Sequence, residues 1–167
     1  MSDVNLADIY QRYRQGLFTL ALSVTRCPSR AEDAVHEAFA RLCRRPEALC
    51  GRAPPNAVAY VFAAVRNAAV GQVRRTPRAA DGMELAALLF DLADGPPAHA
   101  IEAERARGVA EAVGALTAER REVVILRIYA GLTFSQISAV VGAPLPTVAA
   151  RYRRALERLR ERLESIV

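Results

Sequence analysis

LTFSQISAVVGAPLPTVAARYRRALERLRERL, residues 132–163, reads as a helix, a tight turn and a second helix rich in arginine. Thr133 begins a Thr-x-x-Gln box, in which the hydroxyl caps first-turn N–H groups and Gln136 reaches back to the cap. Phe134, Ile137, Val140 and Val141 supply the apolar side of a short helix. Gly142 follows where the chain needs a left-handed residue to leave that helix. Pro144 and Pro146 forbid its continuation, yet Pro146 suits the opening turn of the next helix. Val148, Tyr152, Leu156, Leu159 and Leu163 then recur at three- and four-residue steps, with most of the arginines off that stripe. This is the pattern of a helix-turn-helix that lays its second helix in a DNA groove.

The charge is distributed to match. The chain of 167 residues has a net charge of +5, which suits a polyanionic partner. Residues 1–78 carry 12 arginines against 6 acids and residues 102–167 carry 11 against 8, whereas residues 79–101 carry 4 acids and no arginine. Two basic blocks thus flank an acidic connector. The N-terminus MSDVNLADIYQRYR lacks the basic-then-apolar order of a secretory signal, and no apolar run approaches the length of a membrane span, so a cytoplasmic protein is expected. Cys27, Cys43 and Cys50 are odd in number and lack CxxC spacing, which does not describe a disulfide framework.

The rest of the chain is expected to be all-α. Leu6 to Thr25 forms a first helix carrying Leu6, Ile9, Tyr10, Tyr13, Leu17, Leu20 and Val24 on one side, with Pro28 as the break. Ser29 and Glu32 form a second capping box opening a helix to about Arg45, before Pro46. Asn56 caps a third helix through roughly Arg75, ended by Thr76-Pro77. Residues 78–101 hold Gly82, Gly95, Pro96 and Pro97 around a short apolar stretch, and read as a flexible linker with room for one or two helical turns. Four helices follow, near 101–115, 117–130, 133–141 and 146–164.

Three stretches in this order, AEDAVHEAFARL at 31–42, AYVFAAVRNAAVGQVRR at 59–75 and LTAERREVVILRIYAGLTFSQISAVVGAPLPTVAARYRRALERLR at 116–160, resemble the extracytoplasmic-function (ECF) class of bacterial RNA polymerase sigma factors. The resemblance implies two small helical domains: a sigma-two-like bundle at 1–77 and a sigma-four-like helix-turn-helix domain at 102–167, joined by the linker 78–101. It implies a non-enzymatic factor that binds core RNA polymerase, directs it to promoter DNA and assists opening, with no cofactor and no metal. An anti-sigma factor is a further partner that the family admits, and the free chain is expected to be a monomer.

Site residues follow by resemblance. In similar proteins the helix matching 31–45 docks on a coiled coil of the largest polymerase subunit. Here Asp33 and Glu37 lie four apart on one helix face beside His36, where the family commonly has glutamine. A paired acidic face can receive arginines from a partner helix. The 59–75 helix faces the downstream element, where a base must be taken from the stack and held. Asn67 matches the family asparagine near that pocket, and Arg74 and Arg75 would hold phosphates. Tyr60 and Phe62 are read as core, because they share the apolar side with Val65; Gly71 and Ala63 depart from the family pattern. In the upstream-reading helix Thr147, Ala149, Ala150, Arg151, Arg153 and Arg154 form the exposed N-terminal portion, where arginine can grip guanine or phosphate. Ala149 and Ala150 stand where relatives often carry lysine and serine, and Arg158, Arg160 and Arg162 alternate with glutamates as surface ion pairs.

Two other readings compete. A dimeric operator-binding regulator accounts for the helix-turn-helix but leaves the 31–42 and 59–75 patterns idle. It would bind duplex DNA tightly alone, whereas a sigma factor would do so poorly until polymerase separates its domains. Metal ligation by Cys27, His36, Cys43 and Cys50 matches no compact spacing, and no Ser/His/acid set or glycine-rich phosphate loop supports an enzyme.

Overall fold

The computed structural model describes residues 4–75, 85–92 and 99–165. Among these the architecture is helical: α1 (Leu6–Thr25), α2 (Pro28–Arg44), a 3-10 turn (Pro46–Ala48), α3 (Pro54–Arg75), α4 (Leu85–Asp91), α5 (Ala100–Gly114), α6 (Ala118–Val124), α7 (Phe134–Val141) and α8 (Leu145–Glu164). A π-helical turn, Ile125–Tyr129, continues α6, with the Ala130 N–H reaching back to the Ile125 carbonyl. No helix among the described residues is long and apolar enough to cross a membrane.

Local chemistry sets most of the helix ends. Asn5 accepts the Ala7 N–H at 2.9 Å and so caps α1. α1 ends at Arg26, held at φ 53° and the only non-glycine residue with positive φ among those described. Pro28 then takes the first helical position of α2, where its missing N–H costs nothing. Ser29 therefore does not cap: the N-cap is Cys27, and the Ser29 hydroxyl lies 3.3 Å from its sulfur instead. That contact, with the Arg30 N–H, holds the Cys27 thiol below its ordinary pKa. Likewise α3 begins at Pro54, so Asn56 sits inside its first turn and does not cap it. The stop expected at Thr76-Pro77 lies outside the described residues, as do the connector's Gly82, Gly95, Pro96 and Pro97; the connector's apolar stretch supplies α4.

The first three helices bury Leu17, Leu20, Ala31, Ala34, Ala38, Phe62 and Val65 among themselves. Tyr13 meets Phe62 edge-on, with ring centroids 5.7 Å apart. In the second module Val113, Leu116, Val124, Ala155 and Leu159 form a smaller cluster, which Leu85 and Leu89 of α4 join. Arg121 is buried beneath it and donates to the carbonyls of Val113, Gly114 and Leu116, closing the C-terminus of α5. That is a favourable place for a cation, since the helix dipole is negative there. Burial and the nearby Arg26 lower its pKa.

The two modules are not separated in this structure. The larger cluster runs on from α1 and α3 into Ile125, Leu126, Ala130, Leu132, Ile137, Val140 and Val148 of the helix-turn-helix region. At its tightest point α1 crosses the end of the π turn at Gly16, where an added Cβ would stand 2.9 Å from the Ala130 Cβ. Leucine is a better helix former than glycine by nearly ~1 kcal/mol, yet Gly16→Leu should destabilise the chain by about 1–3 kcal/mol through overpacking. A lowered urea midpoint is the expected result; a raised one would show that the close approach is not sterically limiting.

Candidate nucleic-acid interface

The helix-turn-helix forms through the residues that the local sequence singles out. The Thr133 hydroxyl accepts the Gln136 N–H at 3.1 Å, and the Gln136 carboxamide accepts the Thr133 N–H at 2.9 Å. Gly142 leaves α7 at φ 69°, its N–H bonded to the Ser138 carbonyl. Pro144 is the N-cap of α8, which starts one residue earlier than expected. Phe134 meets Tyr152 at 5.3 Å between centroids and fixes α7 against α8, while Arg127 lies over the outer face of Phe134.

On α8, Val148, Ala155 and Leu159 are buried, which turns the rest of the helix outward. Thr147, Ala150, Arg151 and Arg154 fall at the i, i+3, i+4 and i+7 positions of one stripe; Ala149 and Arg153 lie on the adjoining side. Thr147, Arg153 and Arg154 are exposed, whereas Ala149, Ala150 and Arg151 are half-buried. Arg151 lies 3.6 Å from Glu119 at the start of α6, so this arginine is partly neutralised within the module. Further along, Arg158 pairs with Glu161 and Arg160 with Glu164, as expected for a solvated flank. In the N-terminal half of the helix the cationic contribution is therefore concentrated at Arg153 and Arg154.

The first module presents a second basic feature. A cavity of about 680 Å³ opens between α2 and α3, lined by Arg41, Arg44, Arg45, Tyr60 and Asn67 together with small apolar side chains. Asn67 is exposed to it. Phe62 is fully buried as expected of core, but Tyr60 is only half-buried: one flank lines the cavity and its ring carries the Arg52 guanidinium at 4.2 Å. Tyr60 thus belongs to both the core and the surface. A carboxamide, an aromatic edge and three guanidinium groups around an open cavity suit a nucleotide, since stacking and phosphate neutralisation are both available. The sequence reading missed Arg41, Arg44 and Arg45. Three arginines within five residues, just before Pro46, were the available signal, but only the packing of α2 on α3 aims them at Asn67.

Arg74 and Arg75 stand apart from that cavity, two helical turns beyond Asn67 or about 10 Å along α3. Both are exposed, and Arg75 contacts Glu37 of α2 at 3.3 Å. Glu37 also holds Arg41 at 2.7 Å. Of the acidic face on α2, Asp33 and His36 are exposed and Glu37 is half-buried between these two arginines. His36 borders a groove of about 600 Å³ between α1 and α2, which also receives Arg12, Arg14 and Glu32. A residue expected to meet a protein partner is thereby coupled to residues expected to meet DNA.

Both modules have counterparts in known proteins. Residues 9–79 match the family described as Sigma-70 region 2, and residues 106–159 match Sigma-70, region 4. The chain is 28% identical over 161 residues to the ECF RNA polymerase sigma factor SigK of Mycobacterium tuberculosis, covering 95% of this chain and 85% of that protein. Over 69 residues it is 36% identical to the ECF RNA polymerase sigma factor SigD of Mycobacterium bovis, covering 41% of this chain and 32% of SigD. The fold is similar to that of the sigma factor RpoE of Bartonella quintana, solved in complex with the anti-sigma factor NepR. That match has a TM-score of 0.66 at 21% identity and covers 95% of this chain and 98% of RpoE.

Thr133→Ala removes half of the capping box and should cost about 1 kcal/mol. Hydrogen exchange at the Gln136 amide should accelerate while amides of α1 and α2 keep their protection; unchanged exchange at Gln136 would mean that the box does not hold the start of α7.

Proposed function

Since this chain belongs to the extracytoplasmic-function class of RNA polymerase sigma factors, we propose that its two helical modules divide promoter recognition between them on core RNA polymerase. Residues 1–77 bind polymerase and open the downstream element, residues 78–101 connect, and residues 102–167 grip the upstream element. The chain supplies no catalytic group to RNA synthesis; it positions the polymerase and holds unpaired DNA. Its place of work is the cytoplasm, where polymerase and chromosome are found, and it is a monomer before it joins the enzyme.

The observation that carries this reading is the cavity at Asn67. Extracting a base costs a few kcal/mol, and Asn67 with Tyr60 and the Arg41, Arg44 and Arg45 group offers hydrogen bonds, a stacking surface and charge where that base would arrive. Arg74 and Arg75 extend the basic surface along α3 toward the neighbouring phosphates. In the second module Thr147, Ala150 and Arg154 approach base edges, and Ala149, Arg151 and Arg153 complete the contact with the groove and its backbone. Alanine at positions 149 and 150 can offer only apolar contact, for which a thymine methyl is the natural partner. Asp33, His36 and Glu37 form the acidic side of the polymerase contact. An anti-sigma factor is a second protein partner in this proposal; a similar sigma factor has been solved with one.

Run-off transcription with purified core polymerase over a library of genomic fragments tests the reading, and failure to start RNA chains on any fragment would overturn it. Arg153→Ala combined with Arg154→Ala should weaken upstream-element binding about tenfold or more while retention on polymerase is kept. Asn67→Ala should spare the closed complex and reduce permanganate-reactive thymines in the opened region. Equal reactivity in the variant would remove Asn67 from the melting step.

A further inference from the structure

Glycine is the usual residue where a helix ends in the left-handed conformation, because a side chain there crowds the backbone. The end of α1 departs from that rule. Arg26 holds φ 53° as its C-cap, with its N–H on the Leu22 carbonyl at 2.8 Å, and no other non-glycine residue among those described has a positive φ. A long charged side chain in this conformation is held at a cost in stability, so what it reaches is informative.

Arg26 lines a cavity of about 370 Å³, within the ordinary size range of sites for small molecules. The other walls come from Leu85 and Ala86 of α4, from Glu111 and Ala115 at the end of α5, and from Arg162 near the end of α8. The buried Arg121 of α6 lies behind the wall at Gly114, donating to that carbonyl at 2.9 Å; its charge is disfavoured first by burial and then by Arg26. The sequence pattern groups Arg162 with Arg158 and Arg160 as surface ion pairs. Arg158 and Arg160 do pair, whereas among the described residues neither Arg162 nor Arg26 forms an ion pair with an acid. Guanidinium groups from three separate elements therefore gather here against one carboxylate, Glu111. Like charges brought together repel, and an anion placed between them relieves that repulsion.

We propose that this cavity binds a small phosphorylated metabolite, its phosphate held between Arg26 and Arg162. A guanidinium matches phosphate well, because it offers paired N–H donors in one plane. Glu111 repels a ligand that is anionic throughout and accepts a hydroxyl or amino group instead, while Leu85 and Ala86 offer an apolar wall to the carbon skeleton. Arg121 is committed to the carbonyls that end α5 and adds positive potential from behind without touching the ligand. None of these residues belongs to the DNA and polymerase surfaces proposed above, so the site stands apart from that reading.

The full-length chain is titrated calorimetrically with inorganic phosphate, glucose 6-phosphate and adenosine diphosphate; the last two distinguish a sugar phosphate from a nucleotide as the source of the phosphate group. At least one organic phosphate should bind once per chain and more tightly than inorganic phosphate. Arg26→Gly should weaken that binding about tenfold or more, the loss expected when a charged hydrogen-bonding group is removed. Because glycine suits this φ better than arginine, the same variant should keep or raise its urea midpoint, which separates lost binding from lost folding. Arg162→Gln should weaken binding likewise, and Glu111→Gln should tighten inorganic phosphate. Arg160→Ala removes the same charge elsewhere on α8 and should leave the affinity unchanged. The site is overturned if no probe binds stoichiometrically, or if binding persists in both Arg26→Gly and Arg162→Gln. It is equally overturned if Arg160→Ala weakens binding as much as Arg26→Gly does, the mark of general attraction to a basic surface.

Discussion

At the crossing of α1 with the end of the π turn, Gly16 and Ala130 approach so closely that even one added methyl group has no room. Around that crossing the apolar residues of α6, the π turn and α7 are withdrawn from water against α1 and α3. Burial of this kind contributes on the order of 25 cal/mol per Å². The positions of Arg66, Glu122, Gln136 and Pro55 follow from it. Each is a polar group at the rim of an apolar seam, and each is satisfied across it.

The same seam links stability to function. Under the proposed division of promoter recognition, the two modules have to present their surfaces at a distance, yet their own apolar area favours bringing them together. The π turn after α6 matters here, because its wider winding delivers Leu126 and Ala130 to the first module and lets the Leu132 N–H reach the Leu126 carbonyl. α4 adds a third element to the junction: the connector participates in both cores as well as carrying the chain between them.

Electrostatics in the first module follow a comparable economy. Glu37 binds Arg41 and Arg75 at once, so a carboxylate on the face assigned to polymerase orients guanidinium groups on the face assigned to DNA. Exposed ion pairs of this sort contribute little to stability. Their effect is on direction: Glu37 orients one arginine beside the Asn67 cavity and another at the end of α3.

Helix existence, the helix-turn-helix and its ends were legible in the sequence because they are governed by contacts within a few residues. Thr133 with Gln136, Gly142 at positive φ, and Pro144 with Pro146 each act on their own turn of backbone. The same locality explains the misreadings at Ser29 and Asn56: a proline at the first helical position starts α2 and α3 earlier than a side-chain cap would. What the local pattern does not contain is the partner of a side chain far along the chain. Arg41, Arg44 and Arg45 look like an ordinary basic helix end until α3 is laid beside them, and Tyr60 looks like core until the cavity opens at its edge. Arg66 finds Glu122 across 56 positions, through a fold held by apolar burial, which is non-directional and leaves the choice of polar neighbours to the final packing. The amino-acid order therefore determined the helices, the turn and the two basic blocks. Tertiary structure alone decided which arginines gather at Asn67 and that the modules close on one another, because those outcomes depend on how whole surfaces fit.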